Sequence, residues 1–200
     1  MTQILSIRTS LHSESAQSAQ LAQQFIAHWQ QSHGDARVVQ RDLATDPVPH
    51  LTAKRFTAFA TPASERTEEQ TAEVAQSDTL IAELQASDVI VLALPMYNFG
   101  IPSTLKAYFD HIARAGITFR YTEHGPQGLL TGKRAFVLAT RGGQYAGTDR
   151  DTQTRYVRDF LGFIGIDDVS FVYAEGLAIS EAHRSTALQE AERAITTLAA

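Results

Sequence analysis

Apolar residues recur along this chain in two periods, and the switches between them predict its elements. Gln3–Ile7 is a short apolar run suited to a strand, with a polar turn after it. Leu21, Phe25 and Trp29 then recur every fourth residue, the spacing of one helix face, and Gly34 closes that helix. Ala36–Gln40, centred on Val38 and Val39, is a second strand. Asp46-Pro47-Val48-Pro49 is turn chemistry, and the stretch from there to Pro62 reads as short helix and loop. Thr67-Glu68-Glu69-Gln70 has capping-box spacing and opens a long helix reaching Leu84. Asp88–Ala93 is the clearest strand, apolar on both faces as a buried parallel strand should be. Leu105, Tyr108, Phe109 and Ile112 make one helix face. Ile117–Tyr121 alternates ahead of His124-Gly125-Pro126, which predicts a small hairpin excursion. Ala135–Thr140 is a fourth strand. Val157, Phe160, Leu161 and Ile164 mark a helix ending at Gly165, Val169–Ala174 is a fifth strand, and Ser180–Leu198 a last helix.

A strand–helix order repeated five times demands an α/β fold, doubly wound, with a parallel sheet and helices on both faces. Five units suit strand order 2-1-3-4-5 better than a six-stranded dinucleotide fold. No internal repeat, low-complexity segment or linker divides the chain, so residues 1–200 read as a single domain.

Composition narrows the functions. The chain has 200 residues, 44% of them hydrophobic, enough to bury a core unaided. With no cysteine, disulfides, thiolate catalysis and cysteine metal ligation are all excluded. The net charge is −5 and Lys and Arg do not cluster, so no nucleic-acid partner is expected. The N-terminus lacks a basic leader, and the longest apolar stretch, Val89–Leu94, is too short to span a membrane. A cytoplasmic protein without a membrane partner is the expectation.

In open α/β sheets, ligands bind beyond the carboxyl ends of the strands, where the strand order switches. Three unusual loops should meet there. The first, Thr9–Ser18, is rich in hydroxyls and leads into a helix, which suits a phosphate. Ser and Thr also cap helices often, and Glu14 opposes an anion, so the loop alone leaves both readings open. The second is Pro95-Met96-Tyr97-Asn98-Phe99-Gly100-Ile101-Pro102. Its prolines stiffen it, and its rings offer a flat apolar surface for a planar ligand; the plainer reading is a buried plug. The third is Thr140-Arg141-Gly142-Gly143-Gln144-Tyr145, where paired glycines allow close backbone approach to a ligand, or simply make a flexible turn.

Other signals fail. Gly128–Arg134 has the wrong spacing for a P-loop, lacks Ser or Thr after Lys133, and enters a strand. No GxGxxG opens the first helix, no GxSxG elbow occurs, and the seven histidines show no HxH or HExxH spacing, so no metal site is expected.

Pro95–Phe99, together with Leu105–Asp110, Ala113–Gly116, Thr118–Glu123, Gly125-Pro126, Gly132-Lys133, Arg141–Gly143 and Phe160–Gly165, resembles the FMN-dependent NADH:quinone oxidoreductase/azoreductase family. The resemblance spans nearly the whole chain. It implies a flavodoxin-like fold and a homodimer with two FMN sites at the interface. FMN phosphate would lie against Ser10, Ala16, Gln17 and Ser18. Met96, Tyr97, Asn98 and Phe99 would line the isoalloxazine ring, with Thr140, Arg141, Gly142 and Gly143 on its pyrimidine side and Tyr145 close by. Tyr121 and Phe163 would lie near the acceptor pocket. Serine is frequent in the family where Ala16 stands here, and histidine where Tyr145 stands; Ser13 and Ser15 are hydroxyls near the first departure.

The implied activity is ping-pong reduction of quinones and cleavage of aromatic azo compounds by two electrons from NADH or NADPH. No ribose-selecting acidic residue or 2′-phosphate arginine can be assigned, although Arg55 or Arg66 could contribute. FMN carries the hydride, so no catalytic acid or base of the protein is required. The competing reading is a flavodoxin-like electron carrier. Mild acidity suits docking to a basic partner, but a hairpin over Phe119–Leu130, expected to cover the substrate, opposes it. A flavin-free binding module on the same fold is a third reading.

Overall fold

The computed structural model describes residues 1–200. Seven strands form: β1 (Thr2–Arg8), β2 (Ala36–Asp42), β3 (Val89–Pro95), β4 (Phe119–Thr122), β5 (Gly125–Gly128), β6 (Arg134–Thr140) and β7 (Asp168–Ala174). Five of them make one parallel sheet in the order β2-β1-β3-β6-β7. With the separate antiparallel pair β4-β5 set aside, this is the expected order 2-1-3-4-5.

Six helices flank it: α1 (Gln17–His33), α2 (Ala53–Ala60), α3 (Glu68–Ala86), α4 (Ser103–Ile112), α5 (Thr152–Phe163) and α6 (Glu181–Leu198). Strand alternation sorts the apolar side chains into two cores. Ile4, Val89, Val91, Phe136 and Leu138 pack with Leu21, Phe25 and Trp29 of α1 and Ile195 of α6. Leu5, Ile7, Ile90, Leu92, Leu94 and Val137 point the other way, onto Leu80 and Leu84 of α3, Leu105 and Phe109 of α4, and Val157 and Leu161 of α5. Central strand β3 is buried along its whole length, as its unbroken apolar run requires. No helix is long and apolar enough to cross a membrane.

The expected boundaries hold to within a few residues. Thr67 and Gln70 make the full capping box of α3, and Gly34 follows α1 at φ 81°. The stretch before Pro62, read as short helix and loop, contains the short helix α2, so this crossover carries two helices. Thr52 caps α2 by accepting from the Arg55 amide at 3.2 Å.

The hairpin does not sit where a cover for the three loops would. It precedes β6 and packs against the last turn of α5, at the amino end of the sheet. Gly128 touches Gly165 so closely that a Cβ on Gly128 would fall 2.0 Å from the Gly165 nitrogen. Leu129 and Leu130 both donate amides to the Ile164 carbonyl, at 3.1 and 2.9 Å. Only a residue without a side chain permits this backbone contact.

Candidate functional site

The carboxyl ends of β1, β3 and β6 bring the three loops together, as strand order requires. A tyrosine hydroxyl ties the first to the second: Tyr97 Oη lies 3.0 Å from Ser10 Oγ and accepts the Leu11 amide at 3.2 Å. Beneath them, Thr9 donates to the Ala93 carbonyl at 2.8 Å.

The first loop makes a 3-10 turn at Ser13–Ser15 and then starts α1. Ala16 is the N-cap and offers no side-chain oxygen. The amides of Gln17, Ser18 and Ala19 therefore keep no acceptor; the first α1 amide to find one is Gln20, bonded to the Ala16 carbonyl at 3.0 Å. Ser18 Oγ is buried and also has no partner. A buried hydroxyl and three amides left unpaired at a helix N-terminus fit a phosphate. Glu14, the residue that opposed an anion, is neutralised: Arg8 Nη1 holds its Oε1 at 2.7 Å. Ser13 turns outward from this cradle and donates to Asp42, while Ser15 donates to the His12 carbonyl, so neither replaces the missing hydroxyl at position 16.

The second loop is a tight turn closed by Tyr97 and Gly100, which exchange amide–carbonyl bonds at 3.1 and 2.9 Å. Its central residues, Asn98 and Phe99, have φ 49° and 64°. Asn tolerates this region; Phe does so at a cost of about 1 kcal/mol. The N-terminus of α5 holds the strained turn in place. Thr152 donates to the Phe99 carbonyl, and Gln153, fully buried, donates to the carbonyls of Pro95 at 2.9 Å and Gly100 at 3.3 Å. Phe99 is left 54% exposed, presenting its ring to the site.

The third loop departs from expectation at Arg141. Its guanidinium turns into the protein, where it pairs with Asp151 and Glu175, each at 2.9 Å, and stacks over Tyr173. Its amide and carbonyl bond Ala174 and Leu177. Arg141 thus builds the loop from below, its side chain wholly buried. The next three amides, of Gly142, Gly143 and Gln144, have no acceptor, whereas those of Tyr145 and Ala146 bond the Glu175 carboxylate. The Tyr145 ring lies on Gly143: a Cβ there would meet its hydroxyl at 2.7 Å. Thr140 ends β6 with its carbonyl accepting the Met96 amide.

Met96, Asn98, Phe99, Gly142, Gly143 and Tyr145 surround a cavity of about 140 Å³, with Phe99 and Tyr145 edge to face at 5.6 Å. Met96 and Asn98 also border a cleft of about 650 Å³ running to Leu11 and Ser103. A larger open groove lies beside the third loop, against α6, and is not lined by Met96, Phe99 or Tyr145. The cavity and cleft meeting at Met96 and Asn98 can take a flat ring with one polar edge on free amides.

Family comparison agrees with this geometry. A model of flavodoxin-like-fold proteins matches residues 2–198. An FMN-dependent NADH:quinone oxidoreductase of Burkholderia lata is 57% identical over 195 residues, covering 98% of both chains. The chain belongs to the FMN-dependent NADH:quinone oxidoreductase family. A member from Azotobacter vinelandii is 49% identical over the full length of both chains. Among solved structures, a Bacillus anthracis FMN-dependent NADH-azoreductase in complex with FMN superposes with TM-score 0.87 at 28% identity, covering all of both chains.

Of the residues expected at the site, Met96, Asn98, Phe99, Gly142, Gly143 and Tyr145 share one cavity, Tyr97 ties Ser10 to it, and Ala16, Gln17 and Ser18 form the start of α1. Tyr121 and Phe163 are not brought there. They stand with Phe119, whose ring is 5.4 Å from Tyr121 and 4.3 Å from Phe163. Phe163 ends the helix whose first residue holds the Phe99 loop, so the two ends are roughly 16 Å apart at about 1.5 Å per residue. Arg55 and Arg66 are committed elsewhere too: Arg55 pairs with Glu73 at 2.9 Å, and Arg66 donates to the carbonyls of Ala58 and Thr61. Thr152, Gln153 and Glu175 carry structural parts of the site that sequence reasoning passed over. The Asp151 helix cap was a readable signal for the start of α5, but nothing in the order of residues says that Gln153 faces the strained turn.

Proposed function

We propose that this protein is an FMN-dependent NADH:quinone oxidoreductase that also cleaves aromatic azo compounds. The observation that carries the reading is the pair of unsatisfied donor sets flanking the Met96–Phe99 loop. One, at α1, suits a phosphate; the other, Gly142–Gln144, suits the polar edge of a flat ring. Two donor sets on either side of an aromatic loop suit a ligand with a phosphate and a flat, polar-edged ring, which a flavin mononucleotide is. Bound FMN supplies the ring that takes hydride from NADH and passes it to the acceptor.

The protein's part is binding, orientation and electrostatics. The amides of Gly142, Gly143 and Gln144 would hold the pyrimidine edge of the flavin, where two-electron reduction leaves negative charge, and being fixed they would need no reorganisation. Phe99 and Tyr145 fix the plane of whatever stacks beside the ring. A plane is a loose criterion, which suits a range of quinones and azo compounds.

We infer a homodimer in which the hairpin of one copy faces the flavin loops of the other. The support is spatial: Tyr121 is 75% exposed, and both it and Phe163 lie far from the loops of their own chain. All 200 residues serve as one flavin-binding domain. A flavodoxin-like electron carrier is the rival, and it gains because the hairpin leaves its own chain's loops uncovered.

The test is an absorbance spectrum after FMN addition and desalting, then anaerobic NADH. Retained flavin bands that bleach with NADH, without any partner protein, support the oxidoreductase and exclude a pure carrier. Loss of all flavin on desalting rejects the reading. Sedimentation of the same sample reports the dimer.

A further inference from the structure

Arg184 stands at the end of the first turn of α6, and its guanidinium reaches across to α1. Nη2 donates to the side-chain carbonyl of Gln17 at 2.7 Å, the only bond this guanidinium makes. It forms no ion pair with any carboxylate, and four of its five donors are unused. Gln17 is the first residue of α1, so a half-buried cation lies beside a helix N-terminus that already carries partial positive charge. It also lies near the start of its own helix, where a cation is again unfavourable. Glu181, three positions before it on α6, makes no ion pair with it, and the acidic residues of the first loop and of β2 are occupied: Glu14 by Arg8, and Asp42 by the Ser13 hydroxyl and the Ala44 amide.

The start of α1 therefore carries three amides without acceptors and the buried, unpartnered Ser18 hydroxyl, with a cation held on its first side chain that no carboxylate pairs. We propose that Arg184 is the cationic ligand of the cofactor's phosphate, reaching from the last helix to complete the cradle at α1. This rests on the flavin reading above. It places charge in a cradle whose loop hydroxyls, at Ser13 and Ser15, are turned elsewhere, and whose N-cap is Ala16. It makes the site selective for the phosphomonoester dianion over the uncharged ribityl hydroxyl. The competing role for Arg184 is a tie between α6 and α1, with no contact to the ligand.

The test compares FMN with riboflavin, which lacks the phosphate, by quenching of flavin fluorescence. Arg184→Gln keeps a donor for Gln17 but removes the charge; Arg184→Lys keeps the charge. The expected result is a loss of FMN affinity of roughly tenfold or more in Arg184→Gln, the scale of a lost charge-assisted hydrogen bond. Riboflavin affinity should stay unchanged, and Arg184→Lys should recover most of the loss. Wild-type FMN affinity should also fall more steeply with salt than that of Arg184→Gln. Equal FMN affinity in Arg184→Gln and wild type overturns the proposal while leaving the flavin reading intact. Parallel loss of FMN and riboflavin overturns it in favour of the helix tie. A wild-type protein that binds neither flavin overturns both readings.

Discussion

Glu175 holds Arg141 from the end of the neighbouring strand, Oε1 to Nη1 at 2.9 Å, and the same oxygen accepts the Tyr145 amide at 3.0 Å. One carboxylate thus joins a fully buried cation to the loop that offers free amides to a ligand. Replacing it with Ala leaves Arg141 only Asp151 as a counter-charge and releases the amides of Tyr145 and Ala146. Breaking a buried pair from one side costs about 3 kcal/mol. The expected outcome for Glu175→Ala is a lowered urea midpoint together with weaker FMN binding. An unchanged midpoint would show that Asp151 alone satisfies Arg141.

Tyr97 joins two loops through its hydroxyl. Tyr97→Phe should cost about 1 kcal/mol of stability, the net worth of a typical hydrogen bond. It should also weaken FMN binding several-fold, because Ser10 loses its anchor. Paired thermal melts with and without FMN separate these effects. A variant whose melting temperature falls without FMN but whose FMN-induced shift matches wild type would mean that the bond serves the fold alone.

Gly143 is needed because Tyr145 lies on it. Gly143→Ala should push the far end of the partly exposed Tyr145 ring aside at a modest cost, about 1 kcal/mol. Adding Tyr145→Ala should recover much of that loss, since the obstacle is then gone. A double-mutant cycle on unfolding free energy measures the coupling, and additive losses would refute the contact.

His111 supplies a pH dependence. Burial pushes its pKa below the ordinary histidine value, against the bond to the Pro49 carbonyl, with Arg55 and Arg114 pushing the same way as burial. The ring nitrogen Nδ1 is buried without a partner, so a second proton would find no acceptor. A depressed folded-state pKa means the stabilisation is complete above about 6.5, the unfolded value, and is lost as pH falls from there through the lower folded value. Stability should therefore drop as pH falls below about 6.5 in the wild type. His111→Gln, which can still donate to Pro49, should flatten that part of the profile. Identical profiles would place the titration elsewhere.

Much of the site could be read from residues alone because its signals are local. Pro95, Pro102, Gly142 and Gly143 constrain the backbone whatever surrounds them, and the long run from Pro95 to Gly143 carries the family likeness. Arg141 misled because its neighbours in sequence are ligand-facing, while its side chain answers to Asp151 and Glu175, ten and thirty-four positions away. The place of Tyr121 and Phe163 was beyond the sequence for a related reason. Nothing in the order of residues says that they cluster with Phe119, or at which end of the sheet.

The sequence by itself determined the element order, the parallel sheet and its strand order, and the three loops that carry the chemistry. Hydrophobic period and turn chemistry act over a few residues, and connection rules leave few topologies. Only the tertiary structure decided which donors remain free. The unpaired amides at α1 and at Gly142–Gln144, the inward turn of Arg141 and the reach of Arg184 to Gln17 depend on distances between segments remote in sequence. Hydrogen-bond accounting is a property of the assembled molecule, because each donor's partner is set by packing rather than by its neighbours in the chain.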